Sequence, residues 1–323
     1  MDRRRFVVGT AATALAAGAA SAQEVFPARP VTIINAFPPG GLNDIVTRPL
    51  AAALEPILKQ PVVIDTKAGA AGQVGAQVAA TARPDGYSLL SHNVGISGYA
   101  EVDKLFGRPV KVSRADFIPL ARIIADPILF LVNDQQPYKT MKEFVEGAKA
   151  KPDTLVFSSG GLYGASHLPL AYLERATGPL KLRHLPTSGG GPAITAILGN
   201  NAQVSAQSVG ATLAHVKAGK LRPLASFGGK RSKVLPDVPT LKELGYDVEY
   251  YLWVGMFAPK DTPPAIVATL REAIGKAVQS EKFTAALANA GQELAYLDGP
   301  DFQKFWDVDG KRTDEAVIAI GRQ

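Results

Sequence analysis

The chain has 323 residues, no cysteine, and 35 Lys and Arg against 29 Asp and Glu, for a formal charge of +6. The missing cysteines exclude disulfides, thiolate metal sites and cysteine nucleophiles. A basic surplus this small, without a Lys/Arg block or interleaved aromatics, excludes a nucleic-acid binder, and the length suggests about two domains of roughly 100–200 residues each.

Residues 1–22, "MDRRRFVVGTAATALAAGAASA", have a basic start, a small-residue apolar middle and an A-x-A ending. That layout is an export leader cleaved after Ala22, and it predicts a periplasmic protein. Arg3, Arg4 and Arg5 fit either a twin-arginine or an ordinary Sec signal. The later segments are too short and too polar for a membrane span.

Beyond the leader, short β-rich runs alternate with helical spacing. Candidate strands lie at 31–37, 62–65, 87–90, 128–132, 155–158, 182–185, 204–206, 221–227 and 252–258. After the first strand, Val46, Leu50, Ala53, Leu54, Ile57 and Leu58 recur at helical offsets. Pro49 and Pro56 fall inside that helix and predict a kink. Strand and helix in alternation argue for α/β architecture with parallel-rich sheets flanked by helices.

Three strand-to-helix junctions share one design. Pro38-Pro39-Gly40-Gly41 precedes Asn43 and Asp44; Gly160-Gly161 precedes a helix expected near Ser166; Gly189-Gly190-Gly191 precedes Pro192. A helix start leaves four amides unpaired and carries about half a positive charge. Glycine lets the backbone approach a ligand closely. Such a mouth suits a carboxylate or phosphate, although Gly and Pro are also the ordinary punctuation of any turn. No arginine lies in the three bends, so the expected donors are main-chain amides and serine hydroxyls. Asp44 reads better as a helix-start residue than as an anion contact; facing a ligand, it would suit an amino group.

Enzyme signatures fail in turn. None of these bends closes with Gly-Lys-Ser/Thr, "GAAGQVG" lacks the first glycine of a dinucleotide fingerprint, and "VGISGYA" is not G-x-S-x-G. His92, His167, His184 and His215 lack H-E-x-x-H spacing, so neither metal nor cofactor is expected.

Taken together, "FPPGGLNDIVTRPL", "AGAAGQVGAQVAATARPDGYSLL", "ADFIPLARI", "SSGGLYGASHL", "HLPTSGGGPA", "VKAGKLRPLA" and "RSKVLPDVPTLKELG" resemble the Bug or TctC group of periplasmic solute-binding proteins, in the family's order and over essentially the whole chain after the leader. The resemblance implies a two-lobed Venus-flytrap fold of the type II periplasmic-binding class. Lobe I would comprise 23–123 and 226–323, and lobe II 124–225. It also implies a monomer that binds a small organic carboxylate and passes it to integral membrane transporter subunits or, in the alternative, presents it to a sensor kinase.

Carried onto matching positions, the resemblance places Phe37, Pro38, Pro39, Gly40, Gly41, Asn43 and Asp44 on one ligand wall. Ser159, Gly160, Gly164, Ala165, Ser166 and His167 form the other, with Thr187, Ser188 and Gly189 from the third mouth and His92, Asn93 and Gln207 completing the set. Thr187 and Ser188 stand where the family often carries an aromatic ring and a cation, and Ala71 where a third glycine is frequent. An exported enzyme using His167 or His184 as general base is the competing expectation.

Overall fold

The computed structural model describes residues 26–322, so the leader and its cleavage site lie outside the described residues. Among the described residues ten strands and ten α-helices largely alternate. The first stretch carries β1 (Val31–Asn35), α1 (Leu42–Leu58), β2 (Val62–Thr66), α2 (Gln73–Ala80), β3 (Ser88–Asn93), α3 (Tyr99–Leu105) and the long β4 (Phe117–Asn133). Next come α4 (Met141–Ala150), β5 (Val156–Ser159), α5 (Leu168–Thr177), β6 (Arg183–Pro186), α6 (Gly190–Leu198), β7 (Val204–Ser208), α7 (Val209–Lys217) and β8 (Leu221–Ser226). The chain ends with β9 (Tyr251–Pro259), α8 (Pro264–Val278), α9 (Glu281–Asn289), β10 (Leu294–Asp298) and α10 (Gly299–Ile320).

The strand order is β2-β1-β3-β9-β4-β7-β5-β6, with β8 and β10 also paired to β4. Parallel pairs β1–β2, β1–β3, β5–β6 and β5–β7 lie at the two ends, as strand–helix–strand connections require. Between them the long strand β4 changes partners. Up to Pro127 it pairs with β9, and from Ile128 with β7 and β8. The chain therefore passes between two groups of strands at β4 and returns between β8 and β9.

Helix α1 buries Val46, Leu50, Ala53, Leu54 and Leu58, the stripe its spacing predicts. It runs through Pro49 and Pro56 as one helix without a non-helical residue. Helix α10 closes the other side. Trp306 is 1% exposed, donates Nε1 to Ser97 Oγ at 2.9 Å, and packs on Phe302 and Phe257. Trp306→Ala is expected to cost about 3–5 kcal/mol through the cavity it leaves, read as a lower urea midpoint; a loss under about 1 kcal/mol would mean the site collapses around the smaller side chain.

A candidate ligand cleft built from helix mouths

The three glycine-rich bends meet. Gly41 packs on Gly190 and Gly191, Gly160 on Gly189 and Gly190, and Gly189 on the ring of Pro38. Gly40 has φ of +84°, a left-handed turn that swings the chain into α1 without a side chain in the way. At Gly191 a Cβ would stand well inside 3.0 Å of the Pro39 carbonyl oxygen, so glycine is what permits this approach.

Between the bends lies a cavity of about 30 Å³. Phe37, Gly41, Leu42, Asn43, Asn93 and Leu252 line it from the β1–β3–β9 group, and Gly160, Ala165, Ser166, Gly190, Gln207 and Ser208 from the β5–β7 group. No lining residue is charged. The amides of Gly41, Leu42, Asn43, Ala165, Ser166 and Gly190 find no acceptor among the described residues, because Asp44, Ile45, His167 and Ala193 are the first to bond back to their own turns. Six unpaired donors from three helix starts thus belong to residues around one uncharged space.

Side chains fix that geometry. Asn93 Nδ2 donates to Asn43 Oδ1 at 2.9 Å, Asn93 Oδ1 accepts from Gly95 N at 3.0 Å, and Asn43 Nδ2 donates to Ser91 Oγ at 3.4 Å. Ser166 Oγ accepts from Gly160 N at 2.7 Å, which occupies one donor of the second mouth. Gln207 Nε2 is held by Ser205 Oγ at 2.9 Å, leaving its carbonyl end beside Gly190.

Several expected residues lie elsewhere. Asp44 is buried, accepts from Gly40 N at 3.3 Å and pairs with Arg48 at 2.7 Å, holding the first bend rather than lining the cavity. Pro38 and Pro39 pack on Gly189 and Gly191, and Gly40 and Ser188 are exposed. Gly164 packs on Ala71, whose φ of +55° occupies the region that glycine enters most easily. Thr187 Oγ1 donates to the Ser159 and Gly189 carbonyls, bracing the third bend.

The histidines are braces. Asn93 N donates to His92 Nδ1 at 2.8 Å, so Nε2 carries the proton and faces Tyr99 Oη at 2.8 Å, while Tyr99 donates to the Ala71 carbonyl. His167 Nδ1 accepts from Tyr163 N, and its ring stacks on His184 at 4.1 Å. Burial pushes His92 down to about 4, His167 to about 3 and His184 to about 4; the neighbouring ring lowers His167 further. Groups this acidic are weak bases at neutral pH. Ser159 Oγ lies 2.7 Å from His184 Nε2, but it is fully buried and bonds its own turn at Gly161.

Gly190 of the third mouth, with Leu42, Ser208 and Leu252, which the sequence does not single out, completes the lining. Ser208 caps α7 by accepting from Ala211 N at 3.3 Å, a further strand-to-helix mouth without a glycine pair to announce it.

Residues 46–321 match the model of the tripartite tricarboxylate transporter family receptor. The chain belongs to this receptor family. Its fold is similar to that of the periplasmic binding protein BugD, at 30% identity and a TM-score of 0.83 over 90% of this chain and 97% of the other. MatC from Rhodopseudomonas palustris, solved with malate bound, is 28% identical with a TM-score of 0.83 over 90% and 99% of the chains. An R. palustris protein solved with adipate is 26% identical with a TM-score of 0.85 over 92% and 98%. This family member is thus a periplasmic-type solute-binding receptor rather than an enzyme. Among its described residues no helix is long and apolar enough to cross a membrane.

Proposed function

We propose that the chain captures a small organic carboxylate between two lobes and hands it to integral membrane transporter subunits. The lobes are residues 23–123 with 226–323, and residues 124–225; residues 1–22 are the export leader, removed after Ala22. The observation that carries the reading is the set of six unpaired amides around an uncharged cavity fed by both strand groups. Each hydrogen bond to a charged oxygen contributes about 1.5–3 kcal/mol, so a few of them reach micromolar affinity, about 8 kcal/mol. The dicarboxylates held by the two R. palustris proteins support the same ligand class.

A cavity of about 30 Å³ has room for about one water, whereas small-molecule pockets run to about 300–1,000 Å³. Ligand entry in this reading therefore parts the lobes at the β4 and β8–β9 crossings, and closure follows from tighter binding to the closed form. Mono- and dicarboxylates including malate and adipate are to be screened by thermal shift. A ligand at 100 times its dissociation constant adds about 2.7 kcal/mol of stability. A flat melting temperature across the panel, with no organic acid found by mass spectrometry of the purified protein, would refute the reading.

A further inference from the structure

A cavity of about 470 Å³ shares no residue with the cleft. It lies against the crossing strands, where β4 contributes Arg122, β9 Trp253, α10 Asp309 and Arg312, and α5 Tyr172. Four of these belong to elements beside the first strand group, and Tyr172 comes from the second.

Its polar groups are poorly matched among themselves. Arg122 is half-buried; its Nε donates to the Ala295 carbonyl at 3.0 Å and its guanidinium lies over the Phe305 ring at 4.5 Å. Among the described residues no carboxylate lies within 4.0 Å of Arg122 or Arg312. Asp309 is the acid both guanidiniums sense, and it is already committed to Trp253 Nε1 at 2.9 Å. Burial pushes that carboxyl up to about 6, so it is mostly ionised at about pH 7, one carboxylate serving two guanidiniums. Lys242 and Glu249 at the rim satisfy each other, and Asp247 is exposed.

A second mismatch is independent of the first. Tyr250 is 8% exposed, and its hydroxyl is buried without a hydrogen-bond partner, close enough to Asp309 and Tyr172 to feel both. A buried hydroxyl left unpaired is costly. One partner answers both deficits: an anion with oxygens to accept from two guanidiniums and a phenol.

We propose that this rear cavity is a second binding site, taking a small oxyanion, carboxylate or phosphate, held by Arg122 and Arg312 and hydrogen-bonded by Tyr250. Tyr172 of the second strand group lines the same cavity, so an occupant that also reaches it would couple its binding to cleft closure reciprocally.

Calorimetric titration of the purified protein with inorganic phosphate and, separately, malonate, at constant ionic strength, tests this. Saturable binding of at least one is expected. Arg312→Gln, an exposed position, should weaken it about tenfold or more through the loss of charge-assisted hydrogen bonds, and Tyr250→Phe should weaken it by a smaller factor. Both variants should keep the melting temperature measured without anion. Which of the two anions binds identifies the oxyanion class. No saturable heat with either anion, or identical isotherms for wild type and Arg312→Gln, overturns the proposal. A malonate isotherm unaffected by Arg312→Gln, together with no saturable phosphate binding, reports the cleft alone and likewise overturns it, so failure here leaves the cleft reading standing.

Discussion

Gly191→Ala is expected to lower affinity for the cleft ligand by at least about 100-fold, about 2.7 kcal/mol at 1.4 kcal/mol per factor of ten, while leaving the protein as stable as before. The added methyl falls well inside 3.0 Å of the Pro39 carbonyl oxygen and 3.4 Å from the Gly40 carbonyl carbon. Both are main-chain atoms of the opposite bend, so no rotamer relieves the clash. The third mouth is held back from the first, and about two charge-assisted hydrogen bonds of about 1.5–3 kcal/mol each are lost. The backbone itself accepts alanine: Gly191 is in α6, outside the positive-φ set, where alanine is favoured over glycine by up to about 1 kcal/mol. Calorimetry with the ligand found by the thermal screen gives the affinity, and the melting curve without ligand controls for folding. Unchanged affinity would show that the bends need not approach this closely for binding.

What the sequence made legible follows from local chemistry. Nine runs of β-rich residues fall within or overlap nine of the ten strands, because alternation between short apolar runs and helical spacing is written in consecutive residues. Strand β4 was visible only in its second half. Pro119 and Pro127 break the apolar pattern of the first half, and register shifts at 119/121 and 122/124 let the strand absorb the irregularity. Strand β10 was missed because it is short, its ends are exposed, and it exists by pairing with β4, some 170 residues away in the sequence. The helix expected near Ser166 begins at Leu168, two residues later, with Pro169 in its first turn.

The cleft divides along the same line. Glycine-rich bends announce themselves, so Gly41, Asn43, Gly160 and Ser166 are legible locally and Ala165 through the family resemblance, and each lines the cavity. Ser208 and Leu252 carry no such local mark. Their place depends on β7 and β9 flanking β4, a tertiary fact. The buried histidines were equally opaque: side chains that brace a loop and side chains that touch a ligand read alike until their partners are known. The family resemblance ordered these segments on one chain, and the fold supplies their distances.

Five groups of opposite sign, each shifted by burial, together make acid destabilising. His92, His167 and His184 have folded values near 4, 3 and 4, depressed by burial from 6.5. Between about pH 4.5 and 5.5 the unfolded chain binds a proton at each of the three and the folded chain does not, a contribution that favours unfolding as pH falls. Asp126 and Asp309 act in reverse. Burial raises them from 3.8 to about 7 and about 6, so in the same window the folded chain holds two protons that the unfolded chain has released. Three against two leaves one extra proton on the unfolded state from these groups, which together contribute a fall of about 1.4 kcal/mol per pH unit on acidification. Asp126 is the group to remove. It sits one residue before the β4 partner change and accepts from Gly210 N at 3.4 Å and Gln292 Nε2 at 3.1 Å, bonds that an asparagine carbonyl can keep. In Asp126→Asn the balance becomes three against one, and the slope should steepen by about 1.4 kcal/mol per unit. Urea titrations at pH 4.5, 5.0 and 5.5 measure both slopes. A variant no steeper than the wild type would mean that Asp126 is ionised in the fold across this range, its charge carried by the amides at the start of α7.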